Sequence, residues 1–255
     1  MAIAVTFSSA APDEDIIRVP HDALLNPASG DYTWCFYARW AADATIVDYG
    51  SIFVKPNNTS FGVPRFALWT LTSGTKLCAH IQTSTGVLNT VGGASIRDGL
   101  WHQWAITLDQ SEGILSILRD GAGYSTVDSS PLTDITPAQG LTFGSLDKGT
   151  YIDSGVNCDL ANFWCVPRLV DAAELAIHAN LYTAPADAVA HWKMKEGSDT
   201  TITDVISGFV GTFGTTDQSP AWNTDAGHSI VEPSMGLYGG FQRPFIKPFQ
   251  TPFRQ

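Results

Sequence analysis

The chain has 255 residues, of which 44% are hydrophobic and 15% charged, enough apolar material for one large folded domain. Its formal net charge of −11 argues against nucleic acid as the main partner and against anionic membrane surfaces, since both need clustered Lys and Arg. The run from Met1 to Val19 has no basic segment or signal-peptide-length apolar stretch, and no run approaches the roughly 18 apolar residues of a membrane span.

Most of the chain reads as short strands divided by turns. Over 33–40, Trp34, Phe36, Ala38 and Trp40 alternate with Cys35, Tyr37 and Arg39, which predicts a strand with two distinct faces. Residues 46–54, 65–71, 76–83 and 86–91 read as further strands. Over 102–108, Trp104, Ile106 and Leu108 point one way while Gln103, Ala105 and Thr107 point the other. Residues 114–118 follow and end at Arg119-Asp120-Gly121, a strong hairpin signal. Residues 141–144, 158–166 and 188–193 complete the series. At least ten strands at this spacing require facing sheets to bury their apolar sides, so a sandwich or jelly roll is expected.

One helix interrupts the strands. Asp171 stands where an N-cap belongs and Glu174 follows three residues on, a capping-box-like start to a short helix. Ala173, Ile177 and Leu181 share a face and are expected to lie against the sandwich. Cys35, Cys78, Cys158 and Cys165 form no CxxC pair, and three of them sit in apolar strand-like runs, so they read as free thiols. The two overlapping sequons at Asn57 and Asn58 carry little weight without a secretion signal.

The chain closes differently. From Tyr238 onward Pro-Phe recurs every four residues, at Pro244-Phe245, Pro248-Phe249 and Pro252-Phe253. Each proline fixes φ and removes a donor, so this stretch can join neither a helix nor a central strand. It reads as an extended arm over 236–255 presenting Phe241, Phe245, Phe249 and Phe253 with Arg243, Lys247 and Arg254. No acid follows Glu232. With those three cations set aside, the rest of the chain carries −14. Residues 1–235 are thus expected to form the domain, and the arm to dock on an acidic protein surface, either another protein or a second copy of the chain.

The elements resemble, in order, the laminin-G-like, concanavalin A-like jelly-roll family. Val5-Thr6-Phe7 and Asp15-Ile16-Ile17-Arg18-Val19-Pro20 look like its opening strand pair, and Asp31-Tyr32-Thr33-Trp34 through Trp40 like its next strand. Gly99-Leu100-Trp101-His102 through Asp109 is similar to the family's Gly-x-Trp-His strand, with Leu115 to Gly121 as its partner. Asp159 to Trp164 resembles the strand that precedes the short helix. Ala190 to Ser198, with Asp204 and Gly211-Thr212-Phe213, resembles the closing strand. The resemblance covers about residues 5–222 and implies an all-β, two-sheet antiparallel jelly roll with one short helix. A fold does not fix a function.

Relatives of this kind include glycoside hydrolases with paired carboxylates on one strand, where Glu-x-Asp-x-Glu places the acids on a shared face. That motif is absent here, and Asp13-Glu14-Asp15 lacks its spacing. The six histidines are scattered, with no metal-ligand spacing. His102 follows the family pattern and reads as a packing residue. The expectation is therefore a non-enzyme. The resemblance implies Asp13, Asp15 and Asp159 as family-like calcium positions, although Leu160 replaces a second acid often found beside the last. Among the aromatic residues, Trp69, Tyr151 and Trp222 are the least committed to a core face and are candidates for stacking on a glycan.

Domains that resemble this one are frequent on bacteriophage virions. The resemblance thus implies a non-enzymatic virion structural protein (a capsid decoration, fibre or tail accessory). It would be assembled in the host cytoplasm, displayed on the virion surface and anchored as a homo-oligomer or to neighbours through its arm. The alternative is a carbohydrate-binding lectin, with calcium as its possible cofactor.

Overall fold

The computed structural model describes residues 4–223 apart from 9–14, 29, 45–47, 59–61, 72–74, 130, 148–151, 154, 180–181 and 216–218. The Pro-Phe arm and its seven named side chains therefore lie outside the described residues, as do Asp13 and Tyr151.

Strands follow the alternation. The first half of the chain forms β1 (Ala4–Phe7), β2 (Ile17–Val19), β3 (Tyr32–Arg39), β4 (Ser51–Lys55), β5 (Arg65–Leu71), β6 (Lys76–Gln82) and β7 (Val87–Val91). Next come β8 (Trp101–Asp109), β9 (Ile114–Arg119), β10 (Ala122–Asp128), β11 (Leu141–Phe143), β12 (Leu146–Asp147), β13 (Ile152–Asp153) and β14 (Cys158–Val166). Helix α1 (Ala172–Ile177) precedes β15 (Ala190–Trp192), β16 (Thr201–Thr203), β17 (Val210–Phe213) and β18 (Ala221–Asn223).

Two antiparallel eight-stranded sheets result. One runs β10-β9-β8-β3-β14-β1-β18, with β15 also paired to β14, and the other runs β16-β17-β2-β11-β4-β5-β6-β7. The chain crosses repeatedly between them, as a jelly-roll sandwich requires. The β9–β10 hairpin turns at Asp120 (φ 53°) and Gly121 (φ 74°), both in the left-handed region its tight two-residue loop demands.

The core lies between the sheets and is unusually aromatic. Trp34, Phe36, Ala38 and Trp40 of β3 and its C-terminal flank all enter it, as do Trp104, Ile106 and Leu108 of β8, so both alternations read from sequence point inward as expected. Phe163 sits at the centre, with ring centroids 4.9 Å from Phe143, 5.3 Å from Phe53 and 6.0 Å from Trp192. All four cysteines are buried and unbridged.

Helix α1 begins as expected: the Asp171 side chain accepts from the Glu174 backbone N–H at 2.9 Å. Its buried face differs from the expectation. Leu175 is the residue that packs down, onto Cys35, Ala105, Trp164 and Val166, whereas Ile177 is 72% exposed. The helix has barely more than one and a half turns, and its roll is set by polar ties. Arg168 grips Glu174 at 2.6 and 2.7 Å, and Gln103 Nε2 donates to the Leu175 carbonyl at 3.1 Å. No helix among the described residues is long and apolar enough to cross a membrane.

Candidate functional site

Strands β4 to β7 turn one face into the core and the other outward. On β5 and β6, Phe66, Leu68, Leu77, Ala79 and Ile81 point inward. Alternation then sends Arg65, Ala67 and Trp69 outward from β5, and Cys78, His80 and Gln82 from β6. The register sets Arg65 beside Gln82, Ala67 beside His80, Trp69 beside Cys78, and His80 beside Asn89 of β7. The outer face is thus a small lattice of planar side chains.

Trp69 is its floor. The indole packs on the Val54, Ala67 and Leu146 cluster and stacks on the His80 ring, with centroids 4.8 Å apart and planes 29° from parallel. Tyr49 meets Trp69 edge-on at 5.7 Å and is 56% exposed. Its backbone sits at φ 65°, a region costly for an aromatic residue. Two ladder bonds hold it there: Tyr49 N–H donates to the Thr70 carbonyl at 2.6 Å, and Thr70 N–H donates to the Gly50 carbonyl at 2.9 Å. Tyr49 therefore forms a fixed wall beside the Trp69 floor.

The polar rim is equally ordered. Arg65 Nε donates to His80 Nε2 at 3.3 Å, and the same guanidinium donates to the Gln82 side-chain carbonyl. A histidine that accepts on Nε2 carries its proton on Nδ1 and is neutral. Burial, and then the Arg65 charge, push the His80 pKa down to about 4. Cys78 Sγ donates to Asn89 Oδ1 at 2.8 Å. Together these groups suit a ligand with an apolar ring face, to lie on Trp69, and hydroxyl or carbonyl groups at its edge.

The structure does not bring Trp69 and Trp222 together, and Tyr151 lies outside the described residues. Trp69 stands on β5, whereas Trp222 stands on β18 at the edge of the opposite sheet. There its indole N–H donates to the Asp199 carbonyl at 2.7 Å and its ring lies 5.4 Å from Phe213. Tyr49, Arg65, His80, Gln82 and Asn89 went unread as site residues. The signal for Arg65, His80 and Gln82 was the polar half of the alternation in 65–71 and 76–83, whereas Tyr49 and Asn89 lie outside those stretches.

The two described acidic candidates, Asp15 and Asp159, are committed elsewhere. Asp159 Oδ2 takes Arg39 Nη2 at 2.5 Å and Nε at 2.8 Å, while Oδ1 accepts from Asn223 Nδ2 at 3.0 Å and from the Thr6 hydroxyl. Asp15 Oδ2 accepts from Ser8 N–H at 2.6 Å, and burial raises its pKa. No group of three or more His, Cys, Asp or Glu side chains poised to hold a metal occurs among the described residues. His102 is bracketed by Asp120 Oδ2 (2.6 Å from Nδ1) and Asp98 Oδ2 (2.9 Å from Nε2), which ties the β9–β10 turn to the segment before β8.

No family model and no curated protein matches the chain. Solved structures do. A "putative carbohydrate binding protein" from Bacteroides ovatus ATCC 8483 superposes with a TM-score of 0.64 at 15% identity, covering 84% of this chain. This chain matches 59% of that structure's length. A heptameric SAP-like pentraxin from Limulus polyphemus gives a TM-score of 0.56 at 13% identity, covering 83% of this chain and 95% of that one. A receptor binding domain gives 0.51 at 16% identity, covering 68% and 41% respectively. The fold these define is the concanavalin A-like, lectin-type jelly roll.

These neighbours correct the expectation of a virion structural protein. That expectation rested on analogy between folds, and the solved proteins named above with this fold are a carbohydrate-binding candidate, a pentraxin and a receptor-binding domain.

Proposed function

We propose that the protein is a non-catalytic carbohydrate-binding module whose glycan lies across the outer face of β4–β7. The observation that carries this reading is the Trp69 indole, backed by His80 and walled by Tyr49, within reach of Arg65, Gln82 and Asn89. A pyranose ring has an apolar C–H face and a hydroxyl rim. The first stacks on an indole; the second takes bidentate hydrogen bonds from a guanidinium and amides. The likeness in fold to a carbohydrate-binding candidate supports the reading.

The same residues favour binding over turnover. Hydrolysis of a glycosidic bond needs two carboxyl groups about 5–9 Å apart across the substrate, and none of the outward side chains named on β5, β6 and β7 is a carboxyl. A glycan array probed with the wild-type protein and Trp69→Ala, each with and without chelator, tests the proposal. Reproducible binding that disappears in Trp69→Ala is expected. Absence of any wild-type binding across a broad array, or binding indifferent to Trp69, would overturn it.

A further inference from the structure

A second concavity lies on the opposite sheet, unrelated to the Trp69 face. It is an open groove of about 430 Å³ between the outer face of β8–β10 and the segment leading into α1. Leu118 and Val170 line its floor, and Leu169, 38% exposed, forms its lip. Thr107, Ser116 and Thr126 add a row of hydroxyls across three neighbouring strands. The mouth is acidic. Glu174 and Asp187 share the single cation of Arg168, at 2.6 to 2.9 Å, and Asp171 stands beside them, leaving two negative charges in excess.

The chain carries a segment whose chemistry is the complement of this groove. Residues 243–245, Arg243-Pro244-Phe245, offer one cation, a backbone position without an N–H, and one aromatic ring. We propose that this first Pro-Phe unit of the chain's own C-terminal arm docks in the groove. The Phe245 ring covers Leu118 and Leu169, the strand hydroxyls donate to the unit's carbonyls, and Arg243 meets the surplus carboxylates at Asp171 and Glu174. The volume suits one such unit, since pockets of about 300–1,000 Å³ hold ligands of that size.

Reach selects the first unit and the same copy. Described structure ends at Asn223 in β18, and β9 lies five strand positions away across the sheet, about 24 Å at ~4.8 Å per strand. The 19 residues from 224 to 242 give a root-mean-square span of about 24 Å. A tether matched to its span raises the effective concentration to the millimolar range, above that of a second copy at micromolar protein.

Chymotrypsin reads the docking directly, because Phe245, Phe249 and Phe253 all precede residues other than proline. In the full-length protein at 1 µM (order of magnitude), cutting after Phe245 is expected to be about tenfold slower than cutting after Phe253, which serves as the internal reference. Leu169→Asp and Ser116→Arg, on different elements of the groove, should each remove that protection while leaving the melting temperature and elution volume unchanged. If one of them fails to fold, the other still decides. Equal cutting at both sites in the wild type would overturn the proposal, as would protection that survives both groove variants. Protection that rises with protein concentration alongside a dimer mass in light scattering would assign the arm to a second copy and overturn docking in the same chain.

Discussion

Trp69 and His80 lie face to face on adjacent strands, 4.8 Å between ring centroids, and this contact fixes both the shape and the charge of the outer β4–β7 surface. The imidazole keeps the indole flat against the sheet. Burial, and then Arg65, keep the imidazole uncharged, so this surface stays constant across neutral pH.

That electrostatic arrangement sets a pH window. Burial lowers the pKa of His80 to about 4, with Arg65 adding to it, and lowers that of His191 to about 4, with Lys193 adding to it. In the unfolded chain both titrate near 6.5. Between these values the unfolded state binds more protons, so stability falls as pH drops from about 6.5 towards 4. Urea midpoints at pH 7 and 4.5 should show this fall, and His80→Gln should show a shallower one. The carboxylates held low, such as Asp98, are common to both proteins and drop out of the difference. Identical slopes would contradict the assignment.

The Arg39–Asp159 pair is the strongest claim on the acids near the opening strand. Its side chains are 15% and 12% exposed, and the guanidinium also lies 5.4 Å over Trp101. Removing one partner of such a pair strands the other charge. Asp159→Ala should therefore cost about 3–5 kcal/mol in chemical denaturation. Because Arg39 already neutralises Asp159, millimolar calcium should move the melting temperature by less than about 1 °C in the wild type. A saturable rise of several degrees would show that the carboxylate leaves Arg39 for an ion.

Phe163 and Ile177 make a matched contrast in apolar burial. Phe163 is fully buried among Phe53, Phe143 and Trp192, so Phe163→Ala should lose about 3–5 kcal/mol. Ile177 stands in solvent, so Ile177→Ala should stay within ~0.5 kcal/mol of wild type. A large loss at Ile177 would restore the helix face expected from sequence.

The fold was legible because alternation survives burial. Trp34 to Trp40 and Trp104 to Leu108 each show one bulky face, and both faces enter the core. The helix face differs from the expectation because six residues sample too little of a 3.6-residue period, and its roll is decided by Arg168, just before the helix, and by Gln103, 72 residues from Leu175. The site was half legible. Trp69 stood out as an aromatic residue in a mixed strand. Arg65, His80, Gln82 and Asn89 converge on it only through the register of β5, β6 and β7, and Tyr49 from the turn before β4, and such register is invisible in a single stretch of sequence. Trp222, like Trp69, was not committed to a core face by its sequence, yet pairing of β18 with β1 carries it to the other sheet.

Calorimetric titration of the strongest array ligand into three proteins reads whether Trp69 and its neighbours hold a glycan. Trp69→Ala is expected to weaken binding about tenfold or more, a loss of ~1.4 kcal/mol or greater. Trp222→Ala should leave the dissociation constant within about twofold of wild type, being on the opposite sheet. Unchanged affinity in Trp69→Ala, or loss of binding in a folded Trp222→Ala protein, would contradict the account.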